Sequence, residues 1–276
     1  MNFLKSGDIM QLISKRLTTD SPATLTGYIQ NRSDGPTPKN WPAIIVVPGG
    51  SYTHIPQAQA ETLALAFNRL GFQSFYLNYT TLSDQSPLLP APIVDLARAV
   101  TVVKQNAADW AIDPNQVVIA GFSVGGHIVA LYNDYWNTDW LARDAQSTST
   151  ILRPQAVLLG YPVISPQLGF PKDAETIAKW TDTPERFAAE KHVSKTNRPT
   201  FAWGTVDDPI VPAVNTGAYT AALATAGVDV EAHFFHHGPH GLALADATTA
   251  WDATSNNPHV AHWMTLFSEW YADLQS

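Results

Sequence analysis

Residues 117–132, VVIAGFSVGGHIVALY, restrict the fold of this chain more than any other stretch. A β-branched apolar run, Val117, Val118 and Ile119, stops at Gly121-Phe122-Ser123-Val124-Gly125, and apolar residues resume after Gly126 at Ile128, Val129 and Leu131. That is the pattern of a strand, a sharp turn and a helix. Small residues on both sides of Ser123 let the backbone reverse without a Cβ clash, and a serine so placed projects its hydroxyl from the carboxyl edge of a sheet. A lone G-x-S-x-G pattern also arises by chance in chains that hydrolyse nothing. The strand before it and the helix after it give it weight here.

The other apolar runs extend this unit into a sheet. Residues 8–17 and 23–30 read as two strands joined through Thr-Thr-Asp-Ser-Pro, forming the antiparallel edge of a mixed sheet. After a polar loop at 31–40, residues 43–47 are continuously apolar, as expected of a strand covered on both faces. A helix is predicted over 57–70, with Leu63, Phe67 and Leu70 on one stripe and Gly71 as its stop, and a strand over 72–79. Residues 92–106 give a second helix, and Asp113-Pro114-Asn115 a turn into the strand at Val117. Strands at 156–160, 200–204 and 230–235 follow, with helices at 214–226 and 260–274. Residues 164–197, carrying Pro166, Pro171 and Pro184, break the alternation and contain no strand pattern; an insertion covering the sheet edge, as a cap over a site, is expected there. Alternating strands and helices require right-handed crossovers. The spacing therefore predicts a single doubly wound α/β domain over residues 1–276, its sheet mostly parallel, with a short cap-like insertion at 164–197.

Composition removes several classes of function. Apolar residues make up 45% and charged residues 14%, which suits a packed core and excludes a disordered chain. A formal charge of −8 with no Lys/Arg cluster argues against nucleic acid or an anionic membrane as partner. Without cysteine there is no disulfide, thiol nucleophile or thiolate metal site. The opening MNFLKSGDIMQLISKRL holds no continuous apolar run, and the longest apolar runs are too short to span a bilayer, so a cytoplasmic protein is expected.

In open α/β sheets the reactive loops collect at the carboxyl ends of strands. Ser123 is one such position. A serine hydroxyl needs an imidazole to remove its proton, and the imidazole needs a carboxylate to fix its tautomer. The chain order for this architecture is serine, acid, histidine. Asp207 and Asp208 follow the strand at 200–204, and His236, His237 and His240 follow the last strand. His240, between Pro239 and Gly241 on a tight loop, is placed to swing toward Ser123, whereas His236 and His237 belong to the strand end. Of the acids one is chosen and the other is expected to cap the loop through a backbone N–H. His127 is read as a structural packer, His233 as filler, and His54, His259 and His262 as solvated. The cluster His233, His236, His237 and His240 lacks an H-E-x-x-H pattern or grouped carboxylates, so no metal is expected. A developing oxyanion needs two backbone donors. Val124, opening the helix, supplies one, and the Gly49-Gly50-Ser51 loop after the strand at 43–47 supplies the other, with Gly50 and Ser51 as candidates. Tyr52, Phe122 and Tyr161 are the bulky aromatics near these positions, expected to touch substrate and limit the acyl chain to about four carbons.

The segments PGGSY, LNY, GFSVGGH, LGYPVI, WGTVDDPIVP and HGLALA, in this order and spacing, resemble the α/β-hydrolase superfamily, and within it the small bacterial acetyl- and carbohydrate esterases related to the hormone-sensitive-lipase group. The resemblance runs from Ile44 to near the end of the chain. It implies the α/β-hydrolase fold and a serine carboxylesterase that hydrolyses short-acyl esters, often of acetylated sugars, through a Ser-His-Asp triad and an acyl-enzyme, without a cofactor and frequently as an oligomer. It also implies Asp208 over Asp207, because a D-x-x-V-P pattern after this strand is where such esterases usually carry the acid. Pro48 stands where that group has the histidine of H-G-G-G, Ser51 replaces the last glycine and Val124 a common alanine. The oxyanion donors are backbone groups, so these departures bear on acyl and alcohol preference. Two other readings compete. An arylformamidase-like amide hydrolase shares the glycine loop, and a non-catalytic hydrolase-fold binding protein would be expected to have lost its serine or histidine, both present here. The expected partner is a small-molecule ester.

Overall fold

A computed structural model describes residues 10–31 and 40–276. Among these the apolar runs become eight strands, β1 Met10–Arg16, β2 Thr24–Gln30, β3 Trp41–Val47, β4 Gln73–Asn78, β5 Ile112–Phe122, β6 Ala156–Gly160, β7 Thr200–Thr205 and β8 Val230–Phe235. They lie in one sheet in the order β1-β2-β4-β3-β5-β6-β7-β8. β2 pairs antiparallel with both β1 and β4, and every pair from β4–β3 across to β7–β8 is parallel. Helices α1 Gln57–Arg69, α2 Ala91–Gln105, α3 Val124–Tyr135, α4 Asp139–Asp144, α5 Ser149–Leu152, α6 Ala174–Trp180, α7 Val214–Thr225, α8 Pro258–Ala261 and α9 Trp263–Asp273 make the crossovers and close the chain.

The run Ile44-Ile45-Val46-Val47 is apolar at every position because the sheet is covered on both sides. Its side chains alternate between two cores. Ile45 and Val47 join Val117, Ile119, Val157 and Leu159 against α2 and α3. Ile44 and Val46 join Val118, Ala120 and Leu158 against Leu63 and Phe67 of α1 and Trp263 and Phe267 of α9. All of these are fully buried. Truncating such a residue to Ala costs about 2–5 kcal/mol.

Several boundaries differ from expectation. The first strand was expected from Asp8, but Asp8 and Ile9, like most of the polar loop at 31–40, lie outside the described residues. The expected Asp-Pro-Asn turn falls inside β5, where the register with β3 jumps from Trp41–Ile112 to Ala43–Val117 and Asp113 Oδ1 accepts the Asn115 N–H at 2.9 Å. The final helix divides into α8 and α9. Residues 164–197 hold no strand, only α6 and two 3-10 turns, Pro184–Phe187 and Ala189–Lys191. The lateral edges of the sheet are β1 and β8; the segment packs on α3 and α7, and its Phe170 reaches the carboxyl edge of the sheet beside Ser123. The Tyr135 hydroxyl donates to Arg186 O at 2.7 Å and Trp136 Nε1 to Thr196 O at 3.2 Å.

Candidate active site

Ser123 stands between the end of β5 and the start of α3 with φ +56° and ψ −123°, a left-handed backbone that costs a non-glycine residue about 1–3 kcal/mol. It is held there from both sides, its N–H donating to Gly160 O at 3.1 Å and its carbonyl accepting from Val163 N–H at 2.9 Å. The flanking glycines are required by close approach rather than flexibility. A Cβ on Gly121 would stand 2.4 Å from Gly125 O, and one on Gly125 would stand 2.0 Å from Val47 O.

Ser123 Oγ lies 2.8 Å from His240 Nε2, and His240 Nδ1 lies 2.7 Å from Asp208 Oδ2. The Asp208 side chain is 2% exposed and that of His240 12%. Asp208 Oδ1 accepts the N–H groups of Ile210 and Val211, each at 2.9 Å, so the carboxylate is anchored before it meets the ring. A carboxylate only accepts, so Nδ1 carries the ring proton and Nε2 offers its lone pair to the serine. Tyr161 stands edge-on to the imidazole at 5.1 Å, its own hydroxyl held by the Ala243 N–H at 3.1 Å.

The neighbouring acid is differently employed. Asp207 Oδ1 accepts the Gly238 N–H at 2.8 Å and Oδ2 meets His237 Nδ1 at 2.7 Å. Those two bonds, the backbone one first, hold its carboxyl below the usual range. With side chains 50% and 69% exposed, Asp207 and His237 form a surface pair beside the buried one.

The β3–α1 loop passes directly beneath the serine: a Cβ on Gly49 would stand 3.0 Å from Ser123 Cβ. Gly50, Ser51 and Tyr52 follow in the left-handed region, with φ of 110°, 54° and 62°. At Gly50 the conformation demands glycine, since a Cβ would fall 1.9 Å from His54 O. Gly50 and Ser51 line a cavity of about 200 Å³ with Ser123, His240 and Tyr161. Val124 is fully buried and is the first residue of α3.

Two sequence-predicted contacts fall elsewhere. Phe122 is fully buried beneath the cavity against Tyr161 and Trp263, because alternation along β5 puts it with Val118 and Ala120. Tyr52 is also fully buried, its hydroxyl 2.9 Å from His127 Nδ1. Neither lines the cavity, which takes its remaining wall from Gln59, Phe170, Ile210, Gly241 and Trp251. These five went unread because three distant loops and a helix supply them; Trp251, an apolar ring within the polar stretch 246–257, is the one with a visible signal. His127 is the packer expected, and His54, His259 and His262 are exposed. Among the described residues no three His, Asp or Glu converge as a metal site, and no helix is long and apolar enough to cross a membrane. A wider hollow of about 410 Å³ between α1 and α8–α9 shares no residue with this cavity.

The BD-FAE family model matches residues 32–167. A solved chain of Lactobacillus plantarum WCFS1, classed among carboxylesterases, is 57% identical with a TM-score of 0.80, the match covering 96% of this chain and 98% of that one. An acetyl ester-xyloside bifunctional hydrolase of Caldicellulosiruptor lactoaceticus is 30% identical with a TM-score of 0.80, over 98% and 99% of the two chains. Endo-1,4-beta-xylanase B of Butyrivibrio fibrisolvens is 31% identical over 208 residues, 74% of this chain and 33% of that protein. The chain spans between a third and a half of the length of the first curated relatives it matches.

Proposed function

The chain belongs to the α/β-hydrolase carboxylesterases, and from that premise we propose that it cleaves short-acyl esters, acetyl esters of sugars among them, through Ser123, His240 and Asp208. The observation that carries this reading is the line from Asp208 Oδ2 through His240 to Ser123 Oγ, 2.7 and 2.8 Å in its two steps, opening on a cavity of about 200 Å³.

His240 Nε2 takes the serine proton as Oγ attacks the ester carbonyl, then gives that proton to the departing alcohol, leaving an acyl-serine. Water, deprotonated by the same nitrogen, releases the acid and restores the hydroxyl. The imidazolium formed at each stage faces the Asp208 carboxylate, which is anchored by two amides and need not move. The tetrahedral oxyanion is received by backbone N–H groups of Gly50 or Ser51 and of Val124, the latter at the positive end of α3.

A cavity of this size, walled by Tyr161, Phe170 and Ile210, suits a small acyl group. Trp251, 53% exposed at its mouth, suits the alcohol side. Its loop is braced by buried Ser255, whose Oγ accepts the N–H groups of Trp251 and Asp252, each at 3.0 Å. An indole face held rigid in water is a platform for the apolar face of a sugar ring, in keeping with the xyloside hydrolase among its relatives.

A panel of p-nitrophenyl esters from acetate to octanoate, with acetylated sugars, tests the reading on the parent and Ser123→Ala. Acetate should be preferred, and the variant should lose on the order of 10⁶ in kcat while staying folded. A fluorophosphonate probe should label Ser123. Better turnover of octanoate would overturn the acyl assignment, and survival of more than about 1% of activity in Ser123→Ala would overturn the nucleophile.

A further inference from the structure

His127 lies one helical turn after Ser123, on the same helix as Val124, and is fully buried. Both ring nitrogens are engaged, Nε2 at 2.7 Å from Phe187 O and Nδ1 at 2.9 Å from the Tyr52 hydroxyl. A carbonyl only accepts, so Nε2 carries the proton. Burial drives this imidazole down to about 4, so the ring is neutral near pH 7 and Nδ1 is left as an acceptor. The direction of the chain of bonds is therefore fixed: the Tyr52 hydroxyl donates to His127, and His127 donates to Phe187.

The two ends of that chain lie in different parts of the fold. Tyr52 closes the left-handed run Gly50-Ser51-Tyr52, so its ring cannot shift without moving the backbone of the two residues before it. The same loop is gripped from below by Tyr79, whose hydroxyl lies 3.0 and 2.9 Å from the carbonyls of Pro48 and Gly49 and whose ring meets Tyr52 edge-on. Phe187 belongs to the 164–197 segment. From that segment Trp180 also stands edge-on to Tyr52, ring centres 4.8 Å apart.

We propose that Tyr52 and His127 are positioning residues that lock the Gly50–Ser51 backbone against α3, so that amides from two separate elements are held at the spacing an oxyanion requires. Neither side chain touches substrate. The proposal rests on reading Gly50, Ser51 and Val124 as oxyanion donors. It also gives the 164–197 segment a part in the chemistry, because Phe187 sets the His127 tautomer that receives the Tyr52 proton.

Oxyanion contacts strengthen only in the transition state, so loosening them lowers kcat and leaves KM unchanged. Tyr52→Phe keeps the ring and removes the hydroxyl, His127→Leu removes both bonds, and His127→Asn restores an acceptor near the position of Nδ1. On p-nitrophenyl acetate, Tyr52→Phe and His127→Leu should each lower kcat by about tenfold or more, with KM within about twofold of the parent, a part of the 10²–10³ that loss of a whole donor costs. A trifluoromethyl ketone that mimics the tetrahedral adduct should bind more weakly by the same factor as kcat, and His127→Asn should recover most of the loss. Circular dichroism checks folding, and if either disruptive variant fails to fold the other carries the comparison. Parental kcat in a folded Tyr52→Phe or His127→Leu, or equal changes in kcat and KM, would overturn the proposal. An active Ser123→Ala would instead overturn the esterase reading beneath it.

Discussion

Replacing one carboxylate oxygen of Asp208 by an amide tests the orientation of the histidine most directly. The Asp208 side chain is 2% exposed and its Oδ1 is fixed by the N–H groups of Ile210 and Val211. An asparagine that keeps its oxygen on those amides must turn its NH₂ toward His240 Nδ1. Two donors cannot face one another, so the ring gives up its Nδ1 proton and carries one on Nε2, where it points at Ser123 Oγ and can no longer accept. Loss of the correct tautomer costs on the order of 10⁴ in kcat, about 5 kcal/mol of transition-state stabilisation. The backbone bonds survive, so the urea midpoint should barely move. Asp207→Asn is the control one residue away: its carboxylate serves Gly238 and the exposed His237, and kcat should stay within about tenfold of the parent. Steady-state kinetics on p-nitrophenyl acetate, with urea unfolding of each variant, decides the matter. Collapse in Asp207→Asn with Asp208→Asn active would refute the reasoning.

His240→Ala should abolish turnover and His237→Ala should not; the reverse result would move the base to the surface pair. Trp251→Ala should raise KM for an acetylated sugar while leaving kcat/KM for ethyl acetate near the parent value, and equal losses on both would remove the sugar platform. His127, held at about 4 against an ordinary imidazole value of about 6.5, makes folding sensitive to acid. The unfolded chain takes up this proton below pH 6.5 and the folded one only near 4, so this contribution is complete above about 6.5 and declines as pH falls toward 4. At pH 5 the decline amounts to about 2 kcal/mol. Urea unfolding at pH 7.5 and 5 should therefore show a smaller drop for His127→Asn than for the parent, and identical drops would refute the assignment.

Ser123 and His240 were legible because each follows a strand whose pattern is unmistakable, and the strand ends define where chemistry can collect. The acid was narrowed to two neighbours by position, and their partners separate them in the fold: Asp208 meets a partly buried imidazole, Asp207 a surface one. Phe122 was misplaced although the period along β5 already set it with Val118 and Ala120, on the α9 side. Tyr52 offered no such clue, since three successive left-handed residues carry its ring under α3 and no local pattern announces them. Phe170, Ile210 and Trp251 meet only through tertiary structure, from loops far apart in the chain. The 164–197 segment was recognised by its prolines and its lack of a strand pattern; that it packs on α3 and α7 is set by surfaces elsewhere in the chain and not by anything within the segment.

Among the described residues, left-handed backbone outside glycine is concentrated around Ser123 and the loops beside it. Ser51, Tyr52, Ser123 and Tyr161 all have positive φ, as does Ala243, whose N–H holds the Tyr161 hydroxyl. At about 1–3 kcal/mol each, these residues draw heavily on the 5–15 kcal/mol by which a domain typically outlasts its unfolded state. Selection for stability alone would be expected to erode such residues. A descendant released from its chemistry should relax at Ser123 or Ser51, toward glycine, long before it loses a valine from β3. The order in which such a lineage decays would record which of its residues had been retained for the reaction and which for the fold.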